Sequence, residues 1–418
     1  MKDILTQIVE GRLLQIKERG IDFGFTLPEK RSRRVHRFLP GKGVILEVKR
    51  ASPSKGDIAP ELDAAKTALS YCESGASAIS CLTEENFFKG SLADLMNVCS
   101  AVDEYERTFN CEGPAVLRKD FIVSEEEVDV AFRAGADAVL LISRILSKEK
   151  MASMAQRAAG FGMTSLIEIR LDEDIEKLKF VSDKVDSEFL ACGVNSRDLS
   201  NFTIDLLKPC TMQKKIRSVL GENARVIFES GIRTPESAAF AGSMGFAGLL
   251  LGEAAAKNPL IRKTLVDSFT GSAETENARF WKKYSLLLSE KENLNQTKPF
   301  MKICGLTNKN DAELADSLGA DFLGFIFSKK SPRCIKDNTL FAESTKAFKV
   351  TVITDTESDE AKNAVELCRS GQADVIQLHG KKCIESFLAD EKLRELPHYC
   401  AVNIQNEDDV KYLDVLFE

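Results

Sequence analysis

From Val44 to Leu251 the chain alternates short runs of aliphatic and β-branched residues with longer stretches of helical periodicity. No other feature restricts its fold so strongly. The strand candidates are Val44–Lys49, Ala76–Leu82, Ala115–Lys119, Ala138–Ile142, Ser165–Glu168, Ala191–Asn195, Val226–Glu229 and Gly248–Leu251. Helical segments such as Ser124–Ala134 and Ser147–Ala159 separate them. Parallel strands joined by right-handed helical crossovers, eight in succession, predict an α/β fold of the (β/α)8 barrel type. Glycines ahead of several strands, at Gly75, Gly135 and Gly245, read as helix stops.

The first strand, within GVILEVKRASPSKGDI, carries an unusual pair of charges. A period of two sends Ile45, Glu47 and Lys49 to one face. Buried charges are costly unless paired, so this strand end reads as part of a site, with a structural ion pair as the alternative. The other strand ends repeat the pattern. Lys119 follows Leu117, Glu168 follows Leu166 and Glu229 follows Ile227 on the inward faces, while Asn195 and Arg197 end the sixth strand. Barrel sites lie at the C-terminal strand ends, so these side chains converge in the predicted fold. Ser230–Gly231 and Gly252–Glu253, after the last two strands, fall where such barrels usually hold phosphate.

With 418 residues the chain predicts two domains. Hydrophobic content of 44% and 29% charged residues are ordinary for a globular protein, and a net charge of −7 argues against nucleic acid and anionic membranes as partners. No apolar run approaches membrane-span length, and Met1–Gly20 reads as an amphipathic helix without a secretory core, so a cytoplasmic location is expected. The scattered cysteines and three histidines predict neither a metal site nor a disulfide framework. Lys30–Arg37 reads as a basic linker into the first strand.

EVKRASPSKG, LRKDF, GVNSRDL, ESGI and LLLGEA, in this order and spacing, resemble indole-3-glycerol-phosphate synthase over nearly all of residues 1–270. That resemblance implies closure of 1-(2-carboxyphenylamino)-1-deoxyribulose 5-phosphate to indole-3-glycerol phosphate, with loss of CO2 and water and no cofactor. It implies Lys119 as general acid and Glu47 and Glu168 as the carboxylates for acid and base duty. Lys49 and Ser52 would hold the anthranilate carboxylate, and Asn195, Arg197 and Glu229 the sugar hydroxyls. Phosphate would fall to the amides of Ser230, Gly231, Gly252 and Glu253, with the Glu253 side chain turned away. Phe88 would line the aromatic pocket or simply pack in the core. For Lys119 to act as an acid, burial near Lys49 and Arg197 is expected to pull its pKa down.

Residues 271–298 are polar at both ends around a short amphipathic helix near Phe280–Leu288, and read as a linker. A second alternation follows, with strand candidates Phe300–Cys304, Phe322–Phe327, Lys349–Ile353, Val375–Leu378, Tyr399–Ile404 and Asp414–Phe417. MKICGLTN, GFIFSKKSPR and IQLHG resemble phosphoribosylanthranilate isomerase. The resemblance implies Cys304 as general base, Arg333 as substrate ligand, and Gln377 and His379 nearby. Glu418 falls near the place of that family's acidic catalyst. About 120 residues remain from Phe300 onward, against roughly 200 or more for an eight-stranded barrel, so 299–418 is expected to be an incomplete, truncated and inactive isomerase-like domain. A bifunctional enzyme and a non-catalytic interaction module are the alternatives.

Overall fold

A computed structural model describes residues 4–53, 55–197, 204–293, 299–341 and 345–417. The chain divides into two compact units, Met1–Ala273 and Glu274–Glu418.

The first unit is a closed barrel of eight parallel strands: β1 (Gly43–Val48), β2 (Ala78–Leu82), β3 (Ala115–Lys119), β4 (Ala138–Ile142), β5 (Thr164–Ile169), β6 (Leu190–Asn195), β7 (Val226–Glu229) and β8 (Gly248–Leu251). Neighbours in sequence are neighbours in the sheet. The ring closes where β1 pairs with β8, Gly43 beside Gly248 and Ile45 beside Leu250. Ile45, Leu117, Leu140, Leu166, Ile227 and Leu250 fill the interior together with alanines at 78, 115, 138 and 191. Phe38 and Leu39 join that core from just ahead of β1, and a Cβ on Gly248 would come within 2.8 Å of Leu39.

Two buried ionic networks tie peripheral segments to the barrel. In the helix Ile4–Arg19 the buried stripe is Leu5, Ile8 and Arg12, while Leu13 and Leu14 are exposed. Arg12 pairs with Asp120, which also accepts from Thr83 and, at 3.1 Å, from Arg118. The segment read as a basic linker is anchored. The Asp137 carboxylate accepts from Arg31 at 2.5 Å, from Arg33 at 3.0 Å and from the backbone amides of His36 and Val116 at 3.1 and 2.8 Å. Burial raises the cost of that charge, but His36, Arg33 and Arg31 outweigh it and hold the carboxyl below its usual pKa.

The second unit holds five parallel strands in sequence order: β9 (Lys302–Cys304), β10 (Phe322–Phe327), β11 (Phe348–Ile353), β12 (Val375–His379) and β13 (His398–Ala401). One face, with Leu323, Phe325, Ile353 and Ile376, packs on residues such as Ala361, Ala364 and Phe387 of two crossover helices. In the stretch read as a linker, the helix expected near Phe280–Leu288 is longer, with 18 residues from Glu276 to Asn293. Phe280 and its neighbours Trp281 and Tyr284 cluster with Phe348, Val350 and Val375 on the opposite face, and the Phe280 and Phe348 rings lie 5.4 Å apart. This is the face that carries Cys304 and Gln377. The sixth strand candidate, Asp414–Phe417, is wrong: these residues end a helix, Glu407–Phe417. Asn406 receives the amides of Asp408 and Asp409 at 2.9 and 3.2 Å, acidic residues occupy the first turn, and Tyr412 and Leu416, one turn apart, pack on the core. Glu418 lies outside the described residues.

Candidate active site

A cavity of about 220 Å³ opens at the C-terminal ends of the barrel strands. Its centre is an ionic cluster built by strand periodicity. Glu47 on β1 is 2% exposed, and its carboxylate accepts from Lys49 Nζ at 2.9 Å and lies 3.6 Å from Lys119 Nζ. Lys119, at the end of β3, donates to Glu229 Oε2 on β7 at 3.1 Å. Two glycines make room for these carboxylates. A Cβ on Gly193 would sit 2.1 Å from Glu229 Oε1, and one on Gly252 would sit 2.6 Å from Glu47 Oε1. Tyr71 steadies the first strand by donating to the Glu47 carbonyl at 3.1 Å.

The charges around Lys119 reverse one expectation. Burial disfavours its ammonium, but Glu229, Glu47 and Glu168 outweigh that, and its pKa is raised rather than lowered. Neighbouring carboxylates, not neighbouring cations, dominate its field. Glu47 is held below its usual range, burial being overcome by Lys49 and Lys119. Glu168 behaves in the opposite way. Burial and the like charge of Glu229 push it up to about 7, against the attraction of Lys119 and Arg170.

The remaining first-unit candidates line the same cavity. Ser52 sits in the turn after β1, and Phe88 faces the pocket beside Phe121, their ring centroids 6.0 Å apart. The Asn195 side chain accepts from the Arg197 amide at 3.0 Å, shaping the turn that brings both to the rim. Ser230 and Gly231 adopt φ of +71° and +84°, two successive left-handed residues, and Ser196 Oγ donates to the Ser230 carbonyl at 3.0 Å. A serine in that region is strained, a condition that persists where surrounding structure enforces it. Gly252 precedes the helix Glu253–Lys257, and Glu253 is engaged by Lys257 Nζ at 2.7 Å.

Several cavity residues escaped the sequence reading. Phe121 and Arg170 each lie two residues beyond a recognised charge, so the strand period already marked them. Ile4, Leu5 and Ile8 reach the cavity from the first helix, which no local signal indicated.

In the second unit Cys304 is exposed at the end of β9, and Arg333 donates to its carbonyl at 3.2 Å. Gln377 on β12 accepts from the Tyr399 hydroxyl at 2.9 Å and from Lys302, whose Nζ also bonds Tyr399 at 2.6 Å. His379 stands one step further along the same strand face. Burial lowers the Lys302 pKa, partly offset by Cys304.

Residues 29–266 match the family model for indole-3-glycerol phosphate synthase. The chain belongs to that family. Residues 301–415 match the model for N-(5'-phosphoribosyl)anthranilate isomerase, so both domain types occur in one chain. The indole-3-glycerol phosphate synthase of Bacteroides thetaiotaomicron is 34% identical over 276 residues, covering 63% of this chain and 97% of that protein. The multifunctional tryptophan biosynthesis protein of Schizosaccharomyces pombe is 35% identical over 291 residues, 69% of this chain, and that of Phanerodontia chrysosporium is 32% identical over 292 residues, 70% of this chain. The match spans 34% of the length of each of these two multifunctional proteins. Among the described residues no group of histidine, cysteine and carboxylate side chains could hold a metal, and no helix is long and apolar enough to cross a membrane.

Proposed function

We propose that the first unit converts 1-(2-carboxyphenylamino)-1-deoxyribulose 5-phosphate into indole-3-glycerol phosphate. The observation that carries this reading is a lysine held between the carboxylates of Glu47 and Glu229, with Glu168 beside them, at the mouth of one barrel. Attack of the aromatic carbon on the ribulose carbonyl develops an alkoxide, a far stronger base than an amine. Lys119, an ammonium at neutral pH whose proton Glu229, Glu47 and Glu168 hold more firmly still, supplies that proton. Glu47 and Glu229 keep it aimed into the cavity. Loss of CO2 then drives the step onward. The dehydration that restores aromaticity needs one proton given and one taken, and Glu168, with a pKa of about 7, can serve in either direction with Glu47 as its ionised counterpart.

Lys49 and Ser52 would meet the anthranilate carboxylate, and Phe88 with Phe121 the aromatic ring. Asn195, Arg197 and Glu229 would meet the sugar hydroxyls, and the amides of Ser230–Gly231 and Gly252–Glu253 the phosphate. The phosphorylated substrate is a free small molecule, and the site's chemistry calls for no cofactor. We place this activity in the cytoplasm, where its phosphorylated substrates occur.

In the second unit Cys304 would be the base of an Amadori rearrangement, with Arg333, Gln377 and His379 around the substrate. Among the described residues its five-stranded sheet offers no counterpart of the first unit's paired phosphate loops. We therefore expect no isomerase turnover from this chain. Assays of indole-ring formation and of phosphoribosylanthranilate consumption test both statements, with Lys119→Ala and Cys304→Ala as controls. Indole-ring formation that survives Lys119→Ala would sink the synthase mechanism, and isomerase turnover lost in Cys304→Ala would sink the second.

A further inference from the structure

Glu253 is an odd residue for the anionic end of this site. A carboxylate at the mouth of β8 repels a phosphate unless its charge is compensated. The structure compensates it more than once. Lys257, one turn along the same helix, holds Glu253 Oε1 at 2.7 Å. That hydrogen bond is the main reason the Glu253 carboxyl lies below its usual pKa, against burial, and Lys55 and Arg233 add to the effect from a greater distance.

The topology explains why those two cations are there. In the closed barrel β8 lies between β1 and β7. Lys55 lies at the tip of the small antiparallel hairpin after β1, where Ala51–Ser52 pairs with Gly56–Asp57 and the Lys55 amide donates to the Ser52 carbonyl at 3.3 Å. Lys89 fixes that hairpin from outside by an ion pair to Asp57 at 2.5 Å. Arg233 follows the Ser230–Gly231 turn after β7. Both residues line the cavity together with Gly231, Gly252 and Glu253. With Glu253 cancelled by Lys257, they leave two positive charges, the complement of a phosphate monoester dianion.

We propose that Lys55 and Arg233 form a two-sided cationic clamp on the substrate phosphate, one arm from each strand flanking β8. This rests on the synthase reading for the identity of the substrate, but not for the anion chemistry. Because the clamp grips a group remote from the reacting atoms, it binds substrate and transition state alike. Its loss therefore raises KM and leaves kcat nearly unchanged. Each arm is solvent-exposed, so its removal should leave the fold intact.

The test uses the full chain with Lys55→Met, Arg233→Met and the double variant, beside Lys55→Arg and Arg233→Lys. Three quantities are read: KM and kcat for the carboxyphenylamino-deoxyribulose phosphate, the dissociation constant of inorganic phosphate by calorimetry, and the salt dependence of both. Each methionine variant should raise KM and the phosphate constant by roughly tenfold, the equivalent of about 1.4 kcal/mol. The charge-preserving variants should recover most of that loss, and the salt dependence should flatten in the double variant. A double variant with KM and phosphate affinity within twofold of the parent overturns the clamp. If the parent chain forms no indole ring, the synthase reading fails, and the phosphate titration alone still decides whether the clamp exists.

Discussion

Glu168→Gln should make the protein more stable above pH 7 while removing its activity. The carboxyl has an ordinary pKa of 4.5 and is raised to about 7 in the barrel by burial and by Glu229. Between those values the folded state holds a proton that the unfolded chain has released, so stability falls as pH rises from about 4.5 to 7 and levels off above. A shift of this size corresponds to about 3 kcal/mol. Glutamine is neutral at every pH and close in shape to the protonated acid. The variant and the parent should thus be of similar stability at pH 4.5 and diverge by up to about 3 kcal/mol at pH 8. Urea unfolding across pH 4.5–8.5, following the transition lost together with synthase activity, measures the difference. Comparing the two proteins at each pH cancels groups they share, including Glu47, whose depressed pKa gives the opposite slope at lower pH. A constant difference across that range, or a variant less stable than the parent at pH 8, would refute the assignment of a near-neutral buried acid. The parent's kcat/KM should also show an inflection near pH 7 that is traceable to this residue.

Gly193→Ala should displace Glu229, since the new methyl would meet its Oε1 at 2.1 Å, and a fall in kcat well beyond any loss of stability is expected in steady-state kinetics. Arg12→Met leaves Asp120 and Glu127 facing one fewer cation in a buried site, and chemical denaturation should register a loss of about 3–5 kcal/mol. Phe280→Ala should cost the second unit about 3–5 kcal/mol by opening a cavity beneath Phe348, observable as an earlier unfolding transition reported by Trp281 fluorescence. A fragment starting at Glu274 should fold cooperatively where one starting at residue 297 does not. Equal folding of the two would show that the helix Glu276–Asn293 is dispensable.

The barrel is legible because short apolar runs, buried on both faces, alternate with helical segments eight times over, and the period of two at the strand ends marks Glu47, Lys119, Glu168 and Glu229 as a converging set. The Lys119 titration was not legible. Its direction depends on three carboxylates approaching from β1, β5 and β7, and distances across a barrel leave no trace in local sequence. The helix Glu276–Asn293 is only partly legible: its apolar residues stand out, but its polar ends disguise a face that packs on the sheet beside Phe348, Val350 and Val375. At Asp414–Phe417 a short apolar run fitted strand and helix equally. The capping by Asn406, eight residues earlier, decided between them.

The first unit's ring pairs every strand on both sides, whereas among the described residues β9 and β13 each leave one side of a ladder unpaired. Those two edges are three and four residues long, so an incoming strand would gain only two or three backbone hydrogen bonds on either. Recruitment of another chain by strand addition is correspondingly weak. Charge added on β13 should improve soluble yield at high expression without touching the barrel's chemistry.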